Sequence, residues 1–298
     1  MKAQLTLTVS EGKKLIAIAV TQMPEIKHAL EHGKIFLKGG TTVSGIAEIL
    51  VGMPLRISGR ITALGTKSAR TTVDAPHCIL IERGEPRGID NDLENEVLGM
   101  GPGDVAVCGA NLIDRYGHAA LMAGSPLGGN PGRVISALAA EGITSIIPAG
   151  LEKFTPGSIA EATLASSRLG TDWSMGMAAG LIPVPGQIVT ELTAIALLAK
   201  VKATIIGRGG IIGAEGATTF VVEGKKLQVQ KLCRLAMKLK RAHTSAADGS
   251  LEECQRGCPN CERHLGCVYG GKERTKLLPE VKNDERKDYR GGNYWPSP

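Results

Sequence analysis

The sequence predicts an α/β fold: a mostly parallel sheet with helices on both faces, followed by a small cysteine-rich appendage at the C-terminus. Three features of the chain point to it. Short, largely apolar runs recur at Ile35-Phe36-Leu37, Val105-Ala106-Val107-Cys108 and Ile143 to Pro148, and each stops at a glycine-rich or charged stretch. Runs of that length and side-chain size suit strands covered on both faces. Segments with helical spacing of apolar residues alternate with them. Last, four of the seven cysteines fall within residues 254–267.

Composition sets the class. A chain of 298 residues is long enough for one large α/β domain, or for a domain with an appendage. Apolar residues make up 43% but aromatic ones only 3%, so the core has to be assembled from Ala, Val, Ile and Leu, as in tightly packed βαβ layers. No charged-then-apolar leader opens the chain, and no 18-residue stretch is free of charges and breakers. The expectation is a soluble, cytoplasmic protein with no membrane span. In a reducing compartment, seven cysteines point to metal or thiol chemistry rather than disulfides. Charge is unevenly placed: residues 1–224 carry 19 basic and 20 acidic groups, whereas residues 225–298 carry 16 basic against 9 acidic. A mixed-charge tail is ordinarily solvated, so nucleic acid is not an expected partner. An acidic redox partner and a homo-oligomer stay open.

In chain order, residues 3–9 alternate enough for an edge strand. Apolar residues then recur at helical spacing from Leu15 to Leu30, with Pro24 dividing the stretch in two. The strand 35–37 runs into Lys38-Gly39-Gly40-Thr41-Thr42 and a helix-like 43–50. The first N–H groups of a helix have no partner of their own, so this junction is a candidate anion site. Its spacing is neither that of a nucleoside-triphosphate loop nor the dinucleotide fingerprint, and no nucleotide cofactor is expected. Residues 56–64 and 77–82 read as strands around a polar, basic loop, and a polar turn at 83–91 leads into a short helix at 92–98.

The strand 105–108 ends in Gly109-Ala110-Asn111. A loop with Gly124, Ser125, Gly128, Gly129 and Gly132 follows, able to turn N–H groups toward an anion. A helix over 133–141 leads to the strand 143–148, which ends in Ala149-Gly150-Leu151-Glu152-Lys153, a charged pair just past a strand end. Residues 158–169 and 188–200 read as helices. Two glycines and two prolines argue against a long element at 175–185. Strands at 203–206 and 218–222 flank a glycine-rich loop holding Arg208 and Glu215, and residues 225–240 form an amphipathic helix. Residues 242–250 have linker composition, which divides the chain into a body at 1–241 and an appendage at 251–298.

Ligands of open α/β sheets bind at the carboxyl edge of the strands. The loops 38–42, 109–114 and 124–132 are therefore expected to hold a small anionic metabolite. Gly39, Gly40, Thr41, Thr42, Gly109, Gly124, Ser125, Gly128 and Gly129 supply backbone and hydroxyl donors, while Lys38 and Arg133 neutralise charge. Asn111 and Asp114 orient a hydroxyl or carbonyl, with Asp114 as candidate general base. Glu152 is a spare acid.

Three segments resemble one superfamily. Ile35-Phe36-Leu37-Lys38-Gly39-Gly40-Thr41-Thr42 is similar to the first strand and Gly/Ser/Thr loop of the ribose-5-phosphate isomerase and glucosamine-6-phosphate deaminase superfamily. That group includes the CoA transferases and the sugar-sensing domains of some repressors. Asp104 to Asp114 resembles its D-x-x-x-x-G-A-D-x-x-D segment, and Ile146 to Lys153 resembles a later strand of the related lactate-utilisation domains.

Over about residues 10–225, the resemblance implies a Rossmann-like sheet that binds a phosphosugar or CoA ester at its strand ends. Two departures weigh against ribose-phosphate isomerisation. Asn111 stands where the isomerases carry an acid, and Met122-Ala123-Gly124-Ser125 stands where they carry a lysine and consecutive glycines. Three readings stay open: a protein that binds and converts a phosphorylated or CoA-linked metabolite, a non-catalytic metabolite or redox sensor, and a CoA transferase with Glu215 as its glutamate.

Cys254, Cys258, Cys261 and Cys267 are spaced C-x3-C-x2-C-x5-C, with His264 inside the last interval. Thiols so close together in a reducing compartment converge on a soft metal. Cys258-Pro259-Asn260-Cys261 is knuckle-like and points to zinc, whereas the tight span points to a 4Fe–4S cluster. One metal centre of either kind is expected. Cys78, Cys108 and Cys233 sit in apolar runs and read as core residues, with Cys108 the one to test for reactivity.

Overall fold

The computed structural model describes residues 1–68, 73–252 and 267–268. The chain enters through β1 (Lys2–Leu7) and turns into α1 (Val9–Thr21). A capping box starts that helix: the Thr8 hydroxyl accepts the Glu11 N–H and the Glu11 carboxylate accepts the Thr8 N–H. Pro24 opens α2 (Pro24–His32), a position where its missing N–H is not needed. Then come β2 (Lys34–Lys38), α3 (Thr41–Val51), the hairpin of β3 (Gly59–Thr62) and β4 (Gly65–Ser68), β5 (Cys78–Glu82), β6 (Glu85–Gly88) and α4 (Leu93–Leu98). The middle of the chain holds β7 (Val105–Cys108), β8 (Leu112–Ile113), β9 (Ala119–Ala123), α5 (Gly129–Ala140), β10 (Thr144–Pro148) and α6 (Ile159–Ala165). The last elements are β11 (Gly180–Pro183), β12 (Gln187–Val189), α7 (Glu191–Ala199), β13 (Lys202–Gly209), β14 (Ala217–Glu223) and α8 (Lys226–Lys238).

The central sheet has six strands in the order β12-β10-β7-β2-β5-β6. The first four run parallel, while β5 and β6 are antiparallel and complete one edge. The three runs expected to share a parallel sheet, near residues 35–37, 105–108 and 143–148, do so as β2, β7 and β10.

Because side chains alternate across a strand, each run feeds two cores. Ile35 and Leu37, Ile79 and Ile81, Val105 and Val107, and Ile146 pack on one side with residues of α1, α2, α3, α7 and α8. Phe36, Leu80, Ala106, Cys108 and Ile147 pack on the other with residues of α4 and α5. Helices thus cover both faces, the arrangement that continuous apolar strands require.

A second, antiparallel sheet, β1-β14-β13, adds Leu7, Phe220 and Val222 to the first of these cores. β1 lies at its edge, as residues 3–9 predict. A third small sheet, β11-β9-β8, stands beside the carboxyl end of β7.

Several segments differ from expectation. The polar turn at 83–91 contains β6, while the stretch 175–185 holds only the short strand β11 at 180–183, in keeping with its glycines and prolines. Tertiary pairing supplies what local propensity lacks: β6 pairs with β5, and β11 with β9. Residues 242–250, with their linker composition, lie against the body. Ala247 and Ser250 are buried, the Ala247 N–H bonds the Leu55 carbonyl, and the Ser245 hydroxyl bonds Ser44 Oγ at 2.6 Å.

Of the metal-ligand candidates, Cys254, Cys258 and Cys261 lie outside the described residues. Cys267 is buried and bridges Ser174, and the Val268 N–H bonds the Ser174 carbonyl at 3.0 Å. Among the described residues no group of three or more His, Cys, Asp or Glu side chains is arranged to hold a metal ion, and no helix is long and apolar enough to cross a membrane.

Candidate functional site

The carboxyl ends of β2, β7 and β10 lie side by side and open onto a cleft of about 1080 Å³. That is the upper end of the size range of small-molecule sites. Lys38 ends β2 and Gly39 to Thr42 follow it, Gly109 to Asn111 follow β7, and Pro148, Glu152 and Lys153 lie at or beyond the end of β10; all of them line it. Gly124, Ser125, Gly128 and Gly129 line the wall where α5 begins. Loops far apart in sequence therefore meet at one edge, as Lys38, Gly39, Gly40, Thr41, Thr42, Gly109 and Asn111 were expected to do. Leu127, Gly128 and Gly129 all have positive φ, at 55°, 76° and 68°. That backbone is open to glycine at two of the three positions and strained for Leu127.

The start of α3 presents unpaired donors to the cleft. Gly40 is its N-cap and offers no side-chain bond, so the first turn keeps free N–H donors and the positive end of the helix dipole. Thr42, in that turn, is 3% exposed, and its hydroxyl oxygen is buried with no hydrogen-bond partner among the described residues. Buried hydroxyls are normally paired; this one sits in the cleft wall. Gly39 is required for a different reason from the one the sequence indicates. Its missing β-carbon leaves room for the His77 ring and for the Arg56 and His77 carbonyls rather than for a ligand.

His77 is buried behind this loop and lines the cleft. Its Nδ1 lies 2.8 Å from the Arg56 carbonyl, which can only accept, so the ring proton belongs on Nδ1. Nε2 then accepts from the Ser58 hydroxyl at 3.2 Å. Burial, followed by the Lys38 ammonium, pushes the His77 pKa down to about 4, so the ring is neutral at ordinary pH. Asp90 anchors the group, taking the His77 and Cys78 N–H groups and the Arg56 guanidinium at 2.8, 2.8 and 2.9 Å.

Charge in the cleft is strongly biased. Among the described residues, Lys13, Lys38, Arg56, Arg60 and Lys153 line it against two carboxylates, Asp90 and Glu152. Arg56 is held by Asp90, and Arg60 donates to the Ser250 and Glu252 carbonyls. The three lysines are left with Glu152, whose nearest ion pair is Lys13 at 4.0 Å. Both Glu152 oxygens are buried without a hydrogen-bond partner among the described residues. Glu191 supports the turn from behind: its Oε2 accepts the Leu151 N–H at 2.9 Å, and burial raises its pKa to about 7.

Three candidates from the sequence stand elsewhere. Asp114 does not line the cleft; it accepts the Tyr116 and His118 N–H groups on one oxygen and the Ile159 N–H on the other, at 2.9 to 3.0 Å. Burial alone would raise its pKa, but the N–H groups of Ile159, His118 and Tyr116 outweigh it and bring the value to about 2. That carboxylate anchors a turn and is a poor base. Arg133 is exposed on α5, 3.2 Å from Glu94. Glu215 is exposed on the β13–β14 loop and outside the cleft.

Asn111 does line it, and its Oδ1 accepts the Met122 N–H at 2.9 Å, tying β9 to the end of β7. Cys108 faces the second core, and burial pushes its thiol up to about 11, which makes it inert. Sequence reasoning missed Lys13, Ser58 and His77. Lys13 reads as an ordinary helix-surface residue, and nothing local marks His77. No protein-family model, curated protein or solved structure matches the chain.

Proposed function

We propose that this chain binds a phosphorylated or CoA-linked small metabolite in the cleft and converts it, with Glu152 as the working acid–base group. One observation carries the reading. A carboxylate with neither oxygen hydrogen-bonded among the described residues, and only a 4.0 Å ion pair to Lys13, faces the same cleft as three lysines and an uncapped helix start with a hydroxyl that is buried and not hydrogen-bonded. An anionic ligand supplies what these groups can take: an acceptor for the α3 N–H donors and the Thr42 hydroxyl, negative charge for Lys38 and Lys13, which have only a 3.5 Å bond to the Gly39 carbonyl and a 4.0 Å ion pair with Glu152, and a proton to be moved by Glu152. Glu152 takes the role assigned to Asp114 from sequence, because Asp114 spends its lone pairs on backbone N–H groups. The volume leaves room for more than a sugar phosphate, which favours a CoA-linked or similarly extended molecule.

The test is a thermal-shift panel of inorganic phosphate, sugar phosphates and acyl-CoAs, followed by deuterium exchange on any stabilising compound. Stabilisation by at least one class, with solvent exchange lost in Glu152→Gln while binding persists, is the expected result. Absence of stabilisation by every member overturns the reading, and stabilisation without exchange makes the protein a sensor. A CoA transferase is the second reading, favoured by the same Glu152, whose oxygens accept no hydrogen bond among the described residues, and which replaces exposed Glu215 as the acyl acceptor. Hydroxylamine-sensitive acylation of Glu152 after incubation with acyl-CoA distinguishes it.

Lys38 to Thr42 of the segment 35–42 and Gly109 to Leu112 of the segment 104–114 border this cleft, which supports kinship with the Rossmann-like isomerase and CoA-transferase superfamily, although Asp114 at the end of the second segment stands outside it. The C-terminal cysteines belong to the same proposal. Their spacing supports one zinc ion or one 4Fe–4S cluster on Cys254, Cys258, Cys261 and Cys267, forming a cysteine-rich appendage. Elemental analysis of anaerobically purified protein decides between zinc, iron with sulfide, and neither.

A further inference from the structure

Lys153 stands in an unusual setting for a lysine. It ends a single 3-10 turn, Leu151–Lys153, just beyond β10. That turn is held from both sides: Glu191 takes the Leu151 N–H, and the Arg208 guanidinium donates to the Leu151 carbonyl. The side chain is half-buried and lines the cleft. Its charged neighbours are Glu152 from the same turn, Lys13 from α1, Glu191 from the start of α7 and Lys38 from the end of β2. Among the described residues no hydrogen bond or ion pair holds its amine. A lysine taken out of water normally acquires a carboxylate partner. Here the neighbouring carboxylate, Glu152, makes no hydrogen bond among the described residues and its ion pair, at 4.0 Å, goes to Lys13 instead.

Burial, and after it the Lys13 and Lys38 ammonium groups, lower the Lys153 pKa to about 8 against the pull of Glu152 and Glu191. At pH 7.5 roughly a quarter of such amines are neutral, against about one in a thousand for an ordinary lysine. A neutral amine in a cation-rich cleft is a nucleophile toward carbonyl carbon. The lysines that depress it, Lys13 and Lys38, line the same cleft.

We propose that Lys153 forms a Schiff base with an aldehyde or ketone that carries a phosphate or carboxylate. This rests on the anion-binding reading above and names its substrate class. Glu152 first takes a proton from the Lys153 ammonium. The amine lone pair then attacks the carbonyl carbon and the carbonyl π pair moves onto oxygen, which takes a proton from the nitrogen. Glu152 returns its own proton as the hydroxyl leaves, and the nitrogen lone pair closes the C=N bond. Two of the three ammonium protons depart with the carbonyl oxygen as water, the third stays on the iminium nitrogen, and the charge is unchanged. The iminium withdraws electrons from the adjacent carbon, so a proton or a carbon–carbon bond there becomes breakable, with Glu152 beside it to move the proton.

The experiment is reductive trapping on the full chain. The protein is incubated with pyridoxal phosphate, a phosphate-bearing aldehyde, and separately with glyoxylate, a carboxylate-bearing one. Each is reduced with cyanoborohydride and the adducts are mapped by peptide mass spectrometry. The expected result is one adduct per chain on Lys153, suppressed by excess inorganic phosphate, with a labelling midpoint near pH 8. The more reactive of the two aldehydes identifies which anion the cleft prefers. Lys153→Arg should lose the adduct while keeping the parent's far-UV circular dichroism, which shows that the chain still folds. Labelling spread over lysines according to exposure, or none at Lys153, overturns the Schiff base. If phosphate still stabilises the protein in that case, the anion site survives without it. If phosphate stabilises nothing and neither aldehyde labels Lys153, both readings fall together.

Discussion

The Glu152 carboxylate is folded back over Gly150 and fills the space that a β-carbon at residue 150 would take. Gly150 has φ −69° and ψ 154°, an extended backbone open to any residue. Its glycine therefore serves the carboxylate and not the chain path.

Gly150→Ala is expected to leave the fold intact and to expel Glu152 from its place. The unfolding temperature should stay within about 3 °C of the parent, a change of roughly 1 kcal/mol for a chain this size. Exchange or turnover should fall by about 100-fold, the lower range for loss of a general acid–base group. Phosphate affinity should hold or improve, because one negative charge leaves the lysine cluster. Calorimetric titration with phosphate beside the exchange assay separates the two effects.

Thr42→Val removes a hydroxyl that has no partner among the described residues and keeps the side-chain shape. Replacing an orphaned buried polar group by an isosteric apolar one is neutral or favourable, by up to about 1 kcal/mol. The variant should thus unfold at the same or a higher temperature while binding phosphate about fivefold more weakly, since one hydrogen bond to the ligand is gone. A variant that is both less stable and unaltered in binding would place the hydroxyl in the fold and not in the site.

Asp114→Asn addresses the turn between β8 and β9. The folded pKa of about 2 lies below the unfolded value, so the ionised carboxylate stabilises the protein at neutral pH and that contribution disappears as pH falls through 2. The variant should lose about 2 kcal/mol at pH 7, with the gap to the parent narrowing below pH 4. Urea midpoints at pH 7, 4 and 3 measure it. Ligand affinity should not change, because Asp114 does not face the cleft.

Glu191→Gln tests the support behind the Glu152 turn. The folded pKa of about 7 is above the usual carboxylate range. The proton it holds therefore favours the fold at low pH, and this contribution is lost as pH rises through 7. The amide keeps an acceptor for the Leu151 N–H. The variant should melt about 2–4 °C above the parent at pH 8.5 and no higher than the parent at pH 4.5, as read from melts across that range.

Much of the frame is legible in the chain itself. Ile35 to Leu37 and Val105 to Cys108 are apolar at every position, and only a strand covered on both faces has a place for that pattern. Pro24 divides the first helical stretch between α1 and α2 because its ring cannot continue a helix. Glycine and hydroxyl residues after β2, β7 and β9 mark the edge where the cleft opens, because backbone must bend and expose N–H groups there. Even the Glu152-Lys153 pair stands out as a charge just past a strand end. These features depend on neighbours within one turn or one strand, and local spacing records them.

Which groups remain available for chemistry was decided only by the tertiary structure. Asp114 sits in a motif that invites a catalytic role, yet the Ile159 N–H, 45 residues away, occupies one of its oxygens. Glu152 reads in sequence only as a spare acid past a strand end, and long-range packing leaves its carboxylate facing Lys13 of α1 and clear of backbone donors. Arg133 and Glu215 have suitable side chains and stand outside the cleft, while His77 and Ser58, unmarked in sequence, line it. The identity of a residue sets what it is able to donate or accept. Whether that capacity is spent inside the fold or left for a ligand depends on distant segments, and only the folded chain brings those into contact.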